Sequence, residues 1–173
     1  MDGKRKRQLL APFTLTAVLI GLDQATKAMI QRTLTVGEKI EVMGDFFWLW
    51  HVRNRGMAFS LGSSLPDGLR SILFLLLPVV VLGLLVIYYF RTTHMDGVQR
   101  WCLAAILGGG LSNLIDRFIR PGGVVDFLSF KFYGLFGLER YPTFNLADSS
   151  IVVAGIVIIV FYIISQRRRT LNE

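Results

Sequence analysis

Six ionisable side chains stand where apolar surroundings make charge expensive. Asp23, Lys27, Asp116, Arg117 and Asp148 fall inside or at the ends of long apolar stretches, and Asp126 follows shortly after one of them. A carboxylate or ammonium near a bilayer centre costs about 2.5–3.5 kcal/mol on insertion scales, so such residues are functional candidates. Asp23 and Lys27 are four residues apart, a helical spacing at which opposite charges pair directly. Asn113 shares a helical face with Asp116 and Arg117, and Asn145 stands three before Asp148. Each grouping also has a structural explanation. The first couple is an ion pair that makes a span insertable, Asp116 beside Arg117 is a structural acid, and Asn145 is an N-cap with Asp148 as its reciprocal N3 partner.

The available chemistry is narrow. The two histidines, His51 and His94, lie outside the apolar stretches, and neither a His-Glu-x-x-His nor a Cys-x-x-Cys pattern occurs, so no metal is expected. Gly110-Leu111-Ser112 is a weak serine-hydrolase signal without a histidine base within reach, which leaves Lys27 as a minor Ser-Lys alternative. Two carboxylates are the economical choice. Held close together they cannot both ionise, so they share one proton and act as base and acid at once. Spacing alone leaves Asp23, Asp116, Asp126 and Asp148 equally eligible.

The elements that must position these groups follow from hydropathy. Apolar residues make up 53% of the 173 and charged residues only 18%, against about 25% charged in soluble domains. That excess excludes disorder and a soluble core. The net charge of +7 resides largely in Lys4-Arg5-Lys6-Arg7 and Arg167-Arg168-Arg169, runs that flank apolar segments and orient a polytopic protein instead of binding nucleic acid. Four spans are expected, over about 9–30, 71–90, 101–119 and 145–165, with Pro78 kinking the second. A basic start before an apolar run also describes a secretory signal, but no small-x-small cleavage site follows, so the segment is read as a retained span. One side of the membrane would carry nine Lys or Arg in 29 residues, the other eight in 67. Both termini are therefore expected in the cytoplasm. Every misplaced charge then falls near the outer surface.

The outer connections are structured in their own right. An insert over 33–66 pairs Lys39-Ile-Glu-Val with the aromatic run from Phe46 to Asn54 around a Gly44-Asp45 turn, a hairpin signature. Trp48 and Trp50 would sit at the interface. The second connection, 120–144, is aromatic and glycine-bearing and reads as a partly immersed, mobile flap. Gly108, Gly109 and Ser112 form a small-residue surface for close helix approach. Cys102 is a small buried filler.

Five blocks in order, Asp23-Gln-Ala-Thr-Lys27, Asn54-Arg-Gly56-Met-Ala58-Phe59-Ser60, Gly108-Gly-Gly-Leu-Ser-Asn113-Leu-Ile-Asp116-Arg117, Val124-Val-Asp126-Phe127 and Phe144-Asn145-Leu-Ala147-Asp148, together resemble the bacterial lipoprotein signal peptidases, signal peptidase II. The resemblance covers nearly the whole chain. It implies an α-helical polytopic membrane protein of four transmembrane helices with a small extracytoplasmic β-cradle and a short outer helix or flap. It implies an aspartic endopeptidase that cleaves prolipoproteins before the diacylglyceryl-modified cysteine, in the bacterial cytoplasmic membrane. Partners would be the lipidated precursor and membrane lipid, with no cofactor, no nucleic acid and a monomeric chain. By motif position the resemblance implies Asp126 and Asp148 as the catalytic pair, with Asn54, Gly56, Asn113, Arg117, Asn145, Asp23, Lys27 and Asp116 in supporting or substrate-binding positions and Ala58 and Phe59 in the cradle. Gly110 and Ser112 stand where the family usually shows Ala and Gly, a departure expected to alter helix packing but no chemical group. The stretch between Asp126 and Asp148 is slightly longer than usual.

Two rivals belong to other classes. A proton-coupled transporter also uses intramembrane aspartates, but would place them at midplane or on both sides. A catalytically dead relative would bind lipoprotein without cleaving it.

Overall fold

The computed structural model describes residues 3–56, 66, 68–69, 72–120 and 122–170. Helix α1 (Gly3–Leu10) leads into α2 (Pro12–Thr33). Pro12 lacks an N–H, yet Ala11 keeps helical angles (φ −55°, ψ −39°) and its own N–H reaches Arg7 O at 2.9 Å, so the helical path continues. Helix α3 (Leu77–Arg91) is preceded by a π-helical turn at Ile72–Leu76. Pro78 sits in the first turn of α3, where its missing N–H costs little. The break expected at Pro78 thus takes the form of a change of helix type just before it.

Helix α4 (Gly97–Ile119) opens on a capping box: Gln99 N–H donates to the Asp96 carboxylate at 2.9 Å, and Asp96 N–H donates back to the Gln99 side chain at 3.2 Å. Helix α5 (Leu146–Thr170) is the last described element. Four helical segments among the described residues are long and apolar enough to cross a membrane: Lys6–Thr33, Ile72–Arg91, Gly97–Ile119 and Leu146–Arg167. They overrun some ends of the apolar stretches because charged residues at helix ends can extend toward the headgroups.

Helix α4 is the centre of the bundle. Successive residues leave a helix about 100° apart, so three in a row point at three different neighbours. Gly108, Gly109 and Gly110 use this geometry. A Cβ at Gly108 would stand 3.2 Å from the backbone of Thr16 on α2, one at Gly109 would stand 2.4 Å from Ala147 O on α5, and one at Gly110 would stand 2.6 Å from the Leu82 side chain on α3. Thr16 Oγ1 donates to Ala104 O at 2.7 Å beside the first contact. Apart from this seam, α3 and α5 present mostly exposed Leu, Ile and Val side chains, as helices bathed in lipid should.

The outer sheet has three antiparallel strands in the order β1 (Lys39–Met43), β2 (Phe47–Asn54), β3 (Val124–Phe130). The hairpin was legible in the sequence, but the third strand was not: it lies inside the segment read as a flap. A bulge between Leu49 and Val52 matters for the site. Leu49 opposes Leu128 and Val52 opposes Asp126, so β2 spends one residue more than β3 between the two pairs. The extra residue changes the phase of the alternation. Asn54, and not Arg53, therefore shares a face with Asp126.

The remaining flap is fastened to the hairpin. The Trp48 ring lies between Lys39 Nζ at 3.3 Å and the Arg140 guanidinium at 3.4 Å, and Lys131 pairs with Asp45. Ala58 and Phe59 lie outside the described residues.

Gly109→Ala should destabilise the detergent-solubilised protein in a thermal unfolding experiment by roughly 1–3 kcal/mol, the usual cost of overpacking. Gly155→Ala, where a Cβ would meet nothing, should leave the transition in place or raise it slightly. Equal transitions for the two variants would remove the close α4–α5 approach as a determinant of stability.

Candidate active site

All ten candidate residues are described, and the acids fall into two groups distinguished by their partners. The first group is ionic. Lys27 Nζ lies 2.6 Å from Asp23 Oδ2 and 3.0 Å from Asp116 Oδ2, and donates to Asn113 Oδ1 at 2.8 Å. Its ammonium has three hydrogens and finds three acceptors, which is what a fully buried lysine requires. Asp23 also accepts from Ala147 N–H at 3.0 Å and from Ser112 Oγ at 2.7 Å. Asp116 accepts from Gln24 Nε2 at 2.8 Å and Val125 N–H at 3.1 Å, and pairs with Arg120. Both acids are at most 1% exposed, and both face cations. They are structural acids that tie α2 and α4 to the start of α5 and to β3.

The second group meets neutral amides. Asp126 accepts from Asn145 Nδ2 at 2.7 Å and from Asn54 Nδ2 at 3.0 Å. Asp148 accepts from Asn113 Nδ2 at 2.7 Å and from Asn145 N–H at 3.2 Å. Asn145 therefore touches both carboxylates, one through its side chain and one through its backbone. It also caps α5, because Asp148 N–H donates to Asn145 Oδ1 at 2.9 Å. The N-cap explanation of this pair therefore holds, and the reciprocal capping bonds fix the direction of the Asp148 carboxylate.

Each asparagine is fixed by its second bond. Gly56 N–H donates to Asn54 Oδ1 at 3.0 Å, which turns the Asn54 Nδ2 toward Asp126. Lys27 occupies Asn113 Oδ1 and so leaves the Asn113 amide to donate to Asp148. Gly123, with φ +94°, lets β3 approach β2 at this point, since a Cβ there would lie 2.2 Å from Asn54 O. Arg117 donates to Asn113 O at 3.4 Å and bonds neither aspartate.

Asp126 is 2% exposed. Burial, and after it the neighbouring charge of Asp148, push its carboxyl up to about 7 from an ordinary 3.8, against the pull of the Asn54 and Asn145 bonds and of Lys27. A carboxyl so placed is divided between its protonated and ionised forms around neutral pH. No group of three or more His, Cys, Asp or Glu suited to a metal ion occurs among the described residues.

Some site residues escaped the sequence reading. Gln24 bonds Ser112 and Asp116, and Ser112 bonds Asp23. Ser112 was expected to change only packing. Its hydroxyl instead joins the buried network, a correction that follows from a small polar side chain facing a carboxylate in low dielectric.

Comparison with known proteins supplies the family. Residues 15–164 match the family described as Signal peptidase (SPase) II. The chain belongs to that family. Among the relatives, lipoprotein signal peptidase of Treponema denticola is 47% identical over 87% of each chain, and that of Treponema pallidum 40% identical over 90% of this chain and 84% of its own. The lipoprotein signal peptidase of Borrelia turicatae is 39% identical over 99% of both. A bacterial membrane enzyme structure solved in meso at 2.3 Å superposes with TM-score 0.76 at 27% identity, covering 90% of this chain and 89% of its own. This signal peptidase II homologue is thus a multi-pass membrane peptidase.

The ionic group should carry stability. Lys27→Met would leave Asp23 and Asp116 facing each other's network without their shared cation, a loss of about 3–5 kcal/mol for a broken buried pair. Thermal unfolding in detergent measures it, and an unchanged transition would show that the pair contributes nothing to the fold.

Proposed function

We propose that this chain removes signal peptides from prolipoproteins, with Asp126 and Asp148 as the catalytic dyad. The observation that carries the assignment is the difference in partners: Asp23 and Asp116 are neutralised by Lys27 and Arg120, whereas Asp126 and Asp148 are held by neutral amides around one shared residue, Asn145. An acid paired with a cation already has its charge matched and its oxygens occupied. Two acids without a cation of their own share a proton.

The chemistry then follows in two steps. The ionised carboxylate takes a proton from water as its oxygen attacks the scissile carbonyl carbon, while the protonated partner donates to the carbonyl oxygen. The tetrahedral intermediate collapses when the carboxyl that took the water's proton gives it to the leaving nitrogen, the other carboxylate recovers a proton from a hydroxyl of the intermediate, and the C–N bond breaks. The proton belongs to the pair as a unit. Asn54, Gly56, Asn113 and Asn145 hold the dyad, with Asp23, Lys27 and Asp116 behind them. Arg117, half-buried against Asn113, is proposed to orient substrate.

Cleavage is proposed just before the diacylglyceryl-modified cysteine, with the acyl chains remaining in lipid. The charge distribution supports cytoplasmic termini and a site beneath the outer leaflet. The precursor would arrive laterally from the bilayer, and the sheet and flap would restrict water. The proposed chemistry needs no residue from a second copy, so the chain is proposed to act as a monomer.

Purified protein mixed with a diacylglyceryl precursor and followed by gel shift tests the dyad. Asp126→Asn and Asp148→Asn should each reduce cleavage by about 10⁴-fold or more, as loss of a residue acting within a unit does, while circular dichroism and thermal unfolding confirm a folded protein. Processing by Asp126→Asn at the normal rate would overturn the assignment.

The pH profile tests the proton. Because Asp126 loses its proton near 7, the rate should fall on the alkaline side of that value, about tenfold per unit once the pair is fully ionised. Asn54→Ala removes a donor that favours ionised Asp126, so its alkaline limb should move to higher pH as the rate drops. A limb that stays in place or moves to lower pH contradicts the role given to Asn54.

A further inference from the structure

At the opposite end of the bundle lies a cavity of about 670 Å³ whose lining includes Arg7 and Gln8 of α1, Pro12 of α2, Met95 of the α3–α4 connection, and Arg100 and Trp101 of α4. Arg100 is sixteen residues before Asp116 on α4, so the cavity is roughly 24 Å along the helix from the polar cluster. That distance spans most of a hydrocarbon core about 30 Å thick. The cavity therefore stands at headgroup depth in the other leaflet.

Its chemistry is cationic over an aromatic floor. Arg100 donates from Nη2 to Thr92 O at 3.2 Å and its guanidinium lies 5.4 Å from the Tyr89 ring centroid, but its Nη1 is buried without a hydrogen-bond partner. Leaving a buried guanidinium N–H unpaired is costly, and an anion would satisfy it. Among the described residues no carboxylate lies within ion-pair distance of Arg7 or Arg100; Asp96, the nearest in sequence, caps Gln99 N–H. Below, Tyr89 packs edge-on to Phe13 at 5.0 Å and donates to Leu9 O at 2.8 Å. Trp101 is 44% exposed, as an interfacial ring should be. Nothing in the cleavage chemistry uses any of these groups.

We propose that this cavity binds the phosphate of an anionic phospholipid headgroup, with Arg7 and Arg100 on the phosphate and Trp101 at the acyl boundary. Basic pockets between transmembrane helices on the cytoplasmic side suit such headgroups, and the volume suits a small polar ligand. The proposal uses the inward orientation of this end argued above. It is independent of the dyad.

Native mass spectrometry of the full chain, released from detergent micelles doped with either phosphatidylglycerol or phosphatidylcholine, tests it. The phosphatidylglycerol adduct should exceed the phosphatidylcholine adduct by about fivefold or more, and Arg7→Gln and Arg100→Gln should each lower it by a similar factor, the usual contribution of one basic side chain at an anionic surface. Excess inorganic phosphate should not displace it. Asp126→Asn should bind lipid like the parent protein, which separates this test from the cleavage assay. Equal adducts for the two lipids, or full retention in both arginine variants, would overturn the site; displacement by inorganic phosphate would overturn its assignment to lipid. Arg7 is exposed on α1, so its variant remains a fair test if Arg100→Gln fails to fold.

Discussion

A fully buried lysine ammonium organises the polar cluster of this protein. Lys27 has three hydrogens and gives them to Asp23, Asp116 and Asn113, three residues on two helices. In a medium that supplies no hydrogen bonds, each of those acceptors is as dependent on Lys27 as it is on them. The consequences propagate outward. Asp23 accepts from the Ala147 N–H and so seats the first turn of α5; Asp116 accepts from the Val125 N–H and so seats β3. The strand and the helix that carry Asp126 and Asp148 are both referred to the same ammonium without either aspartate touching it.

Asn145 completes the arrangement from the other side. A capping asparagine is ordinary at a helix start, and a reciprocal carboxylate at N3 is ordinary too. Here the carboxylate is Asp148, and the cap's remaining amide hydrogens are turned on Asp126 and Asn113. One residue thus both caps the helix and bonds the two carboxylates, so spacing alone could not describe the pair.

The legible parts of the molecule were those encoded over short distances. The i, i+4 pairing of Asp23 with Lys27, the Asn145–Asp148 spacing, the spans and the β1–β2 hairpin are all visible within windows of a few residues or one apolar run. Strand β3 was hidden because Val124–Phe130 is buried along most of its length and on both faces, so it lacks the alternation that marks a strand with one wet side. Gln24 and Ser112 were hidden because they lie about 90 residues apart and their roles exist only across that contact. The choice among four acids was not readable from spacing, since it depends on which of them find cations, and Arg120 and Lys27 reveal that only in three dimensions.

The glycine run in α4 has a further meaning. Three adjacent positions, occupying roughly 4.5 Å of helix height, set the azimuth of three surrounding helices, and each position has a different tolerance: backbone at Gly108 and Gly109, the end of a leucine at Gly110. Like a shaft cut with three unequal keyways, α4 has one rotational setting in which all neighbours seat. The part of the chain with the least side-chain material is where the bundle has the least freedom to turn.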